Sequence, residues 1–121
     1  MRAFQILAVM AFMFSCKQAQ TLPDPFQAGW EGKSVCEVLF EDDDTRVLKC
    51  TFAPGVGHEK HYHNPHFGYT LAGSVFKITD EKGTRTVDVK TNSSFSKAEI
   101  SEHEVLNVGD STGVFLIVEK K

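Results

Sequence analysis

Four of the five histidines in this chain fall at two places in the sequence where they could share a metal ion. His61, His63 and His66 form one group, and His103 follows 40 residues after His63. In an extended strand, residues two apart project from the same face, so His61 and His63 would point together while Tyr62 points away. Neutral imidazole is a common ligand of first-row transition metals. The pattern predicts one mononuclear site for a divalent metal, with Fe, Zn, Cu, Ni and Mn all compatible.

The remaining histidine and the nearby acidic residues are expected to lie outside this site. His58 precedes His61 by three residues and is predicted to be a rim residue rather than a ligand. Glu102 and Glu104 flank His103 and, by strand alternation, would face solvent. The sequence contains no Ser-His-Asp or Cys-His nucleophile arrangement and no phosphate-binding glycine loop. No catalytic residue is therefore assigned beyond the metal ligands.

The elements that must position these histidines are predicted to be β-strands. Short runs rich in β-branched and aromatic residues are separated by Gly, Asp, Asn and Ser, which is typical of strands and turns. The predicted strands are 34–40, 46–52, 67–71, 75–79, 85–89, 93–97, 104–108 and 114–119. No segment has a sustained helical period with caps. The chain is therefore predicted to be an all-β sandwich or barrel, including the jelly-roll type.

Apolar side chains on these strands are candidates for a pocket around the histidines. Small-ligand sites are usually apolar cavities with a few placed polar groups. The alternative is that the aromatic side chains simply fill a small barrel. Asn107, four residues after His103, is a candidate pocket residue or a support for a metal ligand. The predicted apolar lining consists of Phe67 or Tyr69, Leu71, Phe76, Phe95, Val105 and Phe115.

Two cysteines flank a predicted hairpin. With a turn centred on Asp43, Cys36 faces Cys50, Glu37 faces Lys49, Val38 faces Leu48 and Leu39 faces Val47. Apolar residues meet apolar residues and the charges are opposite, so the register is self-consistent. Two alternatives remain open: a Cys36–Cys50 disulfide formed outside the cytoplasm, or two buried free thiols.

The N-terminus is predicted to be a targeting segment. Arg2 precedes an uncharged, mostly apolar stretch that is too short to span a bilayer as a helix but matches a secretory signal. Residues 1–16 are assigned as this signal and 17–32 as a linker. Cys16 directly after the apolar stretch resembles a bacterial lipoprotein signal, which implies a lipidated N-terminus and a periplasmic or membrane-anchored protein. The alternatives are cleavage after Ala19 or an uncleaved anchor.

Composition limits the classes of protein and partner. The 121 residues leave room for one domain, and 41% apolar with 24% charged residues is typical of a soluble core rather than a disordered chain. The net charge of −3, with no basic run, argues against a nucleic-acid partner. A small-molecule ligand or substrate is the expected partner.

The two histidine groups together resemble the signature motifs of the cupin superfamily. The first motif of that family runs Gly, five residues, His-x-His, three or four residues, Glu, six residues, Gly; the second ends in His, three residues, Asn. Gly55 to His63 matches the start of the first motif, Gly73 matches its end, and the segment from His103 to Asn107 matches the second. The resemblance covers residues 46–119. It implies a single jelly-roll β-barrel of residues 33–121, a metal held by the histidines, and a homodimer.

This chain departs from the family at the expected glutamate. Counting back from Gly73, His66 stands where that carboxylate would be. Two alternatives follow: a site of four imidazoles, His61, His63, His66 and His103, or a site of three with His66 turned away. Without a ligand carboxylate the charge of the ion is uncompensated, which favours anionic ligands or hydroxide and lowers the pKa of a bound water.

Two functions are consistent with such a site. One is an enzyme that acts on a small organic molecule, in the manner of a dioxygenase or isomerase. The other is a module that binds a metal or a small ligand without turnover. The missing glutamate removes an obvious general acid or base, so the sequence does not decide between them.

Overall fold

The computed structural model describes residues 20–121, which form eleven β-strands, so the all-β prediction is confirmed. The predicted signal at 1–16, with Cys16, lies outside the described residues. No helix within residues 20–121 is long and apolar enough to cross a bilayer. The strands are β1 Gly29–Trp30, β2 Lys33–Ser34, β3 Cys36–Glu41, β4 Thr45–Phe52, β5 Gly57–His63, β6 His66–Ala72, β7 Ser74–Asp80, β8 Gly83–Val89, β9 Ser94–Lys97, β10 Ser101–Asn107 and β11 Gly113–Lys120.

Two antiparallel sheets carry the fold, and a two-stranded ribbon of β1 and β2 accompanies them. One sheet has the order β5-β10-β7-β8 and the other β3-β4-β11-β6-β9. Strands far apart in sequence are therefore neighbours: β10 lies between β5 and β7, and β11 lies between β4 and β6. In particular, His103 on β10 pairs directly with His61 on β5.

The core includes side chains from both sheets. Leu48 and Ile117 of the five-stranded sheet are buried, as is Phe76 of the four-stranded sheet. Phe52 packs edge-to-face against Phe76 and Phe115, with ring centroids 5.7 and 6.0 Å apart. Val105 is partly buried against the same core. Aromatic pairs of this kind stabilise a core beyond their buried area. Of the predicted lining, Phe76, Val105 and Phe115 therefore act as packing. The sequence prediction did not include Phe52.

Three predicted pocket residues on β6 face away from the core. Phe67 and Leu71 are 47% and 42% exposed, and the Tyr69 hydroxyl donates to Asn92 Oδ1 at 3.1 Å. His66 faces inward at the start of β6. Because side chains alternate along a strand, these three residues lie on the outer face. The prediction that they line the interior is therefore wrong. The inward positions of β6 are those of His66, Gly68 and Thr70, all buried.

Phe95 on β9 remains beside the interior, near the histidines. A Cβ at Gly68 would lie 2.1 Å from the Phe95 ring, so only glycine accommodates the ring there. The Phe95 ring centroid is 6.2 Å from those of both His66 and Phe115. Phe95 is nevertheless 40% exposed, which places it where the interior meets solvent.

The hairpin of β3 and β4 contains the predicted cysteine pair. Cys36 pairs with Cys50, Glu37 with Lys49 and Val38 with Leu48, as expected, and the two cysteines form a disulfide. A β-bulge then shifts the register, so that Phe40 rather than Leu39 pairs with Val47. The prediction for Leu39 is wrong because a bulge places two residues of one strand opposite one of its partner.

Residues 20–34, which we call the N-terminal strap, are bonded to the barrel. The Pro23 carbonyl accepts from the Tyr62 amide at 3.1 Å, and Asp24 Oδ2 accepts from Arg46 at 3.0 Å. Trp30 lies over β5, where a Cβ at Gly57 would be 2.7 Å from its ring. The strap therefore lies against the strand that carries the first histidine group.

Candidate metal centre

Three imidazoles meet where β5 and β10 run side by side. His61 and His63 point to the same face of β5, and the register places His103 opposite His61. The Nε2 atoms are 2.9 Å apart for His61 and His63, 3.2 Å for His63 and His103, and 3.1 Å for His103 and His61. Among the described residues, the side chains of His61, His63 and His103 form a cluster whose ligand atoms lie close enough together to hold one ion.

The spacing of these nitrogens fits one first-row metal ion. With metal–nitrogen bonds of about 2.0–2.1 Å, nitrogens on one face of an octahedron or tetrahedron lie about 2.9–3.4 Å apart. The observed distances fall in that range. Three imidazoles on one face also leave other coordination positions for water or another ligand.

The hydrogen bonds of the opposite ring nitrogens assign tautomers that suit metal binding. His61 Nδ1 donates to the Glu59 carbonyl at 2.6 Å, and His63 Nδ1 donates to a carboxylate oxygen of Glu119 at 2.6 Å. The proton of each neutral ring is then on Nδ1, so the Nε2 lone pairs of His61 and His63 face each other. Two lone pairs at 2.9 Å repel, and a cation between them removes that repulsion.

Burial keeps these rings in the neutral form that a metal requires. Burial lowers the pKa of His61 from its ordinary value. Burial, followed by the neighbouring imidazoles, holds the pKa of His63 and His103 well below the ordinary value. His61 and His63 are almost fully buried, whereas His103 is partly exposed. Of the three rings, that of His103 is therefore the most accessible to solvent.

His66 lies beside the cluster but is not one of the three converging ligands. Its ring centroid is 4.6 Å from that of His63, and its Nδ1 donates to the Asn64 carbonyl at 2.8 Å. The geometry thus favours the three-imidazole alternative. His66 is not turned away, however, because it is 8% exposed and packs between His63 and Phe95.

His58 is buried, so its prediction as a rim residue is wrong. Its ring stacks on His61 with centroids 3.7 Å apart, and its Nε2 donates to the Pro25 carbonyl at 2.9 Å. Burial and then the proximity of His61 lower the pKa of His58 to about 3. The N-terminal strap covers this position, which sequence alternation could not reveal. His58 therefore packs against the ring of His61, one of the three candidate ligands.

Glu119 on β11 is a site residue that the sequence analysis did not identify. It is 2% exposed, bonded to His63 through one oxygen and to Arg46 through the other at 3.0 Å. Burial raises the pKa of Glu119, and the Arg46 guanidinium opposes that rise. The available signal was alternation: Phe115 and Ile117 face inward, so a carboxylate at 119 falls on the same face.

Asn107 has a structural role away from the three imidazoles. Its Nδ2 donates to the carbonyls of Phe52 and Ser111 at 2.8 Å each. Its Oδ1 accepts from Ser74 Oγ at 2.8 Å and from the Gly109 amide at 3.0 Å. The side chain therefore joins β10 to β4, β7 and the following loop. These contacts do not support its predicted roles as a pocket residue or as a support for a metal ligand.

Two surface clefts lie elsewhere on the molecule. A cleft of about 410 Å³ is lined mainly by polar and charged side chains, which include Lys60, Glu102 and Glu104. A second, of about 270 Å³, lies near Ser74 and Lys90. Neither lining includes a histidine, so neither cleft opens onto the candidate metal centre.

Comparisons with known proteins place the fold. No family model and no curated protein matches this sequence. Among solved structures, it is similar to a cupin domain from Bordetella pertussis Tohama I, at 21% identity and a TM-score of 0.67, over 85% of this chain and 99% of that chain. It is also similar to the polyketide cyclase RemF from Streptomyces resistomycificus, at 18% identity and a TM-score of 0.56, over 70% and 63%. A Cupin 2 conserved barrel domain protein from Salinispora arenicola matches at 14% identity and a TM-score of 0.55, over 94% and 88%.

These structural likenesses confirm the predicted cupin jelly-roll fold. At such identities they concern the fold alone. The function must be argued from the site itself.

Proposed function

We propose that this cupin-fold chain binds one divalent transition metal ion through His61, His63 and His103. The observation that carries the proposal is the convergence of three Nε2 atoms within 3.2 Å of one another. The Nδ1 hydrogen bonds of His61 and His63 support it, because they direct both lone pairs to the same point. Fe, Zn, Cu, Ni and Mn all suit imidazole ligands.

The protein residues perform three tasks at this centre. The paired strands β5 and β10 hold the three rings in place before any ion binds. Burial keeps the rings neutral, and the Nδ1 hydrogen bonds of His61 and His63 leave their Nε2 atoms unprotonated, so an ion does not have to displace protons from these two at neutral pH. The burial of His61 and His63 excludes water from that part of the centre. A bound ion would supply Lewis acidity and would lower the pKa of a coordinated water.

Metal analysis of the full-length chain tests this proposal. We expect close to one equivalent of a divalent transition metal in the wild-type protein and competition for Zn²⁺ against a chromophoric chelator. His61→Ala, His63→Ala and His103→Ala should each weaken Zn²⁺ binding by about 100-fold or more, because each removes one of three ligands. Glu102→Gln changes an exposed side chain beside His103 and is the control. Unchanged Zn²⁺ affinity in all three histidine variants would refute the proposal.

Catalysis on a small organic molecule is a second candidate function. It is favoured by the three-imidazole face, which leaves coordination positions open, and by the partial exposure of His103. The structural neighbour RemF is a polyketide cyclase, so this fold can host chemistry on organic substrates. Oxygen-uptake and product assays of the metal-loaded chain on small thiols, diketones and phenols test it. Turnover that disappears in His61→Ala supports an enzyme, whereas ligand binding without turnover supports a module.

We further propose that the protein is exported and lipidated at Cys16. The apolar stretch before Cys16 supports export, and so does the Cys36–Cys50 disulfide, because such bonds persist mainly in oxidising compartments. Membrane fractionation of wild type and Cys16→Ala separates the alternatives. Loss of membrane partitioning in the variant is expected, and unchanged partitioning would remove the lipid anchor.

A further inference from the structure

We propose that Glu119 is a positioning residue of the metal centre: its carboxylate fixes His63 in the tautomer whose Nε2 lone pair faces His61 and His103. This inference rests on the proposed metal-binding function. It assigns to β11, the last strand, a part in a site whose ligands all come from β5 and β10.

The rings of His61 and His63 differ in what orients them. His61 Nδ1 donates to the backbone carbonyl of Glu59, two residues earlier in the same strand. His63 Nδ1 instead donates to a side chain, Glu119 Oε1, at 2.6 Å across the interior. A backbone carbonyl can only accept, so the tautomer of His61 is set by the strand itself. The tautomer of His63 depends on the chemical identity of residue 119.

Glu119 is itself held in place. Its second oxygen accepts from Arg46 Nη2 at 3.0 Å, and Arg46 Nη1 donates to Asp24 Oδ2 at 3.0 Å. Because each carboxylate oxygen accepts from a different donor, the side chain has one well-defined orientation. Because Glu119 is only 2% exposed, water has little access to replace either hydrogen bond.

Glu119 acts through His63 rather than as a ligand. Its oxygen contacts the Nδ1 side of the ring, and its carboxylate is not part of the converging group. Carboxylates that bind the second nitrogen of a ligating histidine fix its tautomer and raise its basicity. Glu119 is also the cross-strand partner of His66, so a carboxylate lies beside the imidazoles although position 66 itself carries none.

A glutamine at position 119 should reverse the tautomer of His63. Arg46 requires an acceptor, so the amide oxygen would turn to Arg46 and the amide nitrogen to His63. An N–H donor facing Nδ1 makes Nδ1 the acceptor and moves the ring proton to Nε2. The lone pair needed for the metal is then lost. The same exchange at Glu102, which is exposed on the outer face of β10, leaves the rings unaffected and is the matched control.

The experiment measures tautomer and affinity in the same three proteins: full-length wild type, Glu119→Gln and Glu102→Gln. Two-dimensional ¹⁵N–¹H NMR of the metal-free chains at pH 8 reports which nitrogen of His63 carries the proton. We expect Nδ1–H in wild type and Glu102→Gln, and Nε2–H in Glu119→Gln. Zn²⁺ affinity by chelator competition should fall by about 10–100-fold in Glu119→Gln only.

The outcomes separate this inference from the function on which it rests. A wild-type chain that binds no Zn²⁺ would refute the proposed function, while the tautomer of His63 would still test Glu119. Nδ1–H at His63 in a folded Glu119→Gln, or Zn²⁺ affinity within twofold of wild type, would overturn the positioning role. If Glu119→Gln does not fold, the wild-type spectrum decides, since Nε2–H at His63 there would overturn the inference.

Discussion

At the scale of single residues, the histidines of this chain divide by what their second nitrogen contacts. In His61 and His63 the bonded nitrogen is Nδ1, which leaves Nε2 for an ion, whereas in His58 it is Nε2 that is bonded, to the Pro25 carbonyl. Strand alternation is local and predicted that His61 and His63 project from one face, whereas the sequence added His103 through its motif and left the role of His66 open. It could not place His58, whose environment is formed by a strap more than 30 residues earlier in the chain.

Acid should destabilise the protein, in part through His58. Its pKa is about 3 in the folded state and 6.5 as the ordinary value, so the unfolded chain binds more protons between these values. Stability therefore falls as the pH decreases from about 6.5 towards 3, by at most about 1.4 kcal/mol per pH unit for this group. The low pKa values of His61, His63 and His103 act in the same direction.

Urea unfolding at pH 7 and pH 4.5, with a chelator present, measures this loss. His58→Gln keeps a donor for the Pro25 carbonyl but does not titrate. Its loss of stability between the two pH values should be smaller than that of wild type by about 1–2 kcal/mol. Equal losses in the two proteins would show that His58 does not contribute.

At the scale of elements, the sequence predicts most strands but does not predict for every strand which side chains face inward. The strand β5 carries five charged or imidazole side chains among its seven residues, so composition did not mark it, although the His-x-His spacing implied an extended segment. The prediction of inward-facing side chains was wrong in β6. An apolar run suggested that Phe67 and Leu71 face inward, but His66 faces inward and strand alternation therefore places both on the outer face. The bulge at Leu39 likewise depends on neighbouring strands. Pairing between strands therefore determined the side-chain orientation and the register that the local sequence pattern could not predict.

Asn107 provides a test of how the end of β10 is attached. Asn107→Ala removes four hydrogen bonds and leaves the buried carbonyl of Phe52 without this donor. We expect a loss of about 3 kcal/mol in the free energy of unfolding. Asn64→Ala, the same change at a position that is only partly buried, should cost less than about 1 kcal/mol.

Thermal or urea unfolding measures this difference, and Zn²⁺ titration of the folded variant accompanies it. Since Asn107 contacts none of the three ligands, Zn²⁺ affinity should stay within about twofold of wild type. A large loss of affinity with little loss of stability would instead give Asn107 a role at the metal.

At the scale of the whole molecule, a chain of side chains joins the strap to the metal centre. Asp24 binds Arg46, Arg46 binds Glu119, and Glu119 binds His63. The members of this chain come from the strap, β4, β11 and β5, so no local motif contains it. The barrel was predictable from paired motifs, whereas this connection required the strand order. The homodimer implied by the family resemblance stays a prediction.

Breaking the first link should release the strap. Asp24→Ala removes one of the two carboxylates bonded to Arg46 and the acceptor of the Phe26 and Gln27 amides. The Tyr62 amide, which donates to the Pro23 carbonyl, should then exchange its hydrogen about tenfold faster. Asp80→Ala is the matched control, because Asp80 also accepts from an arginine and from a backbone amide, at the β7–β8 turn.

Native-state hydrogen exchange followed by NMR measures the exchange rate of the Tyr62 amide in both variants. Faster exchange of Tyr62 in Asp24→Ala alone is the expected result. Equal rates in Asp24→Ala and wild type would mean that the strap is held by its other contacts, such as Trp30 on Gly57.

The attachment of the strap at Asp24 would also limit how far a barrel anchored through Cys16, as proposed, could stand from a membrane. Asp24 follows Cys16 by eight positions, and a fully extended chain spans about 3.5 Å per residue, so a lipid on Cys16 would tether Asp24 within about 28 Å of its attachment point. On so short a tether, the metal centre would meet the ions and small molecules that gather beside lipid headgroups.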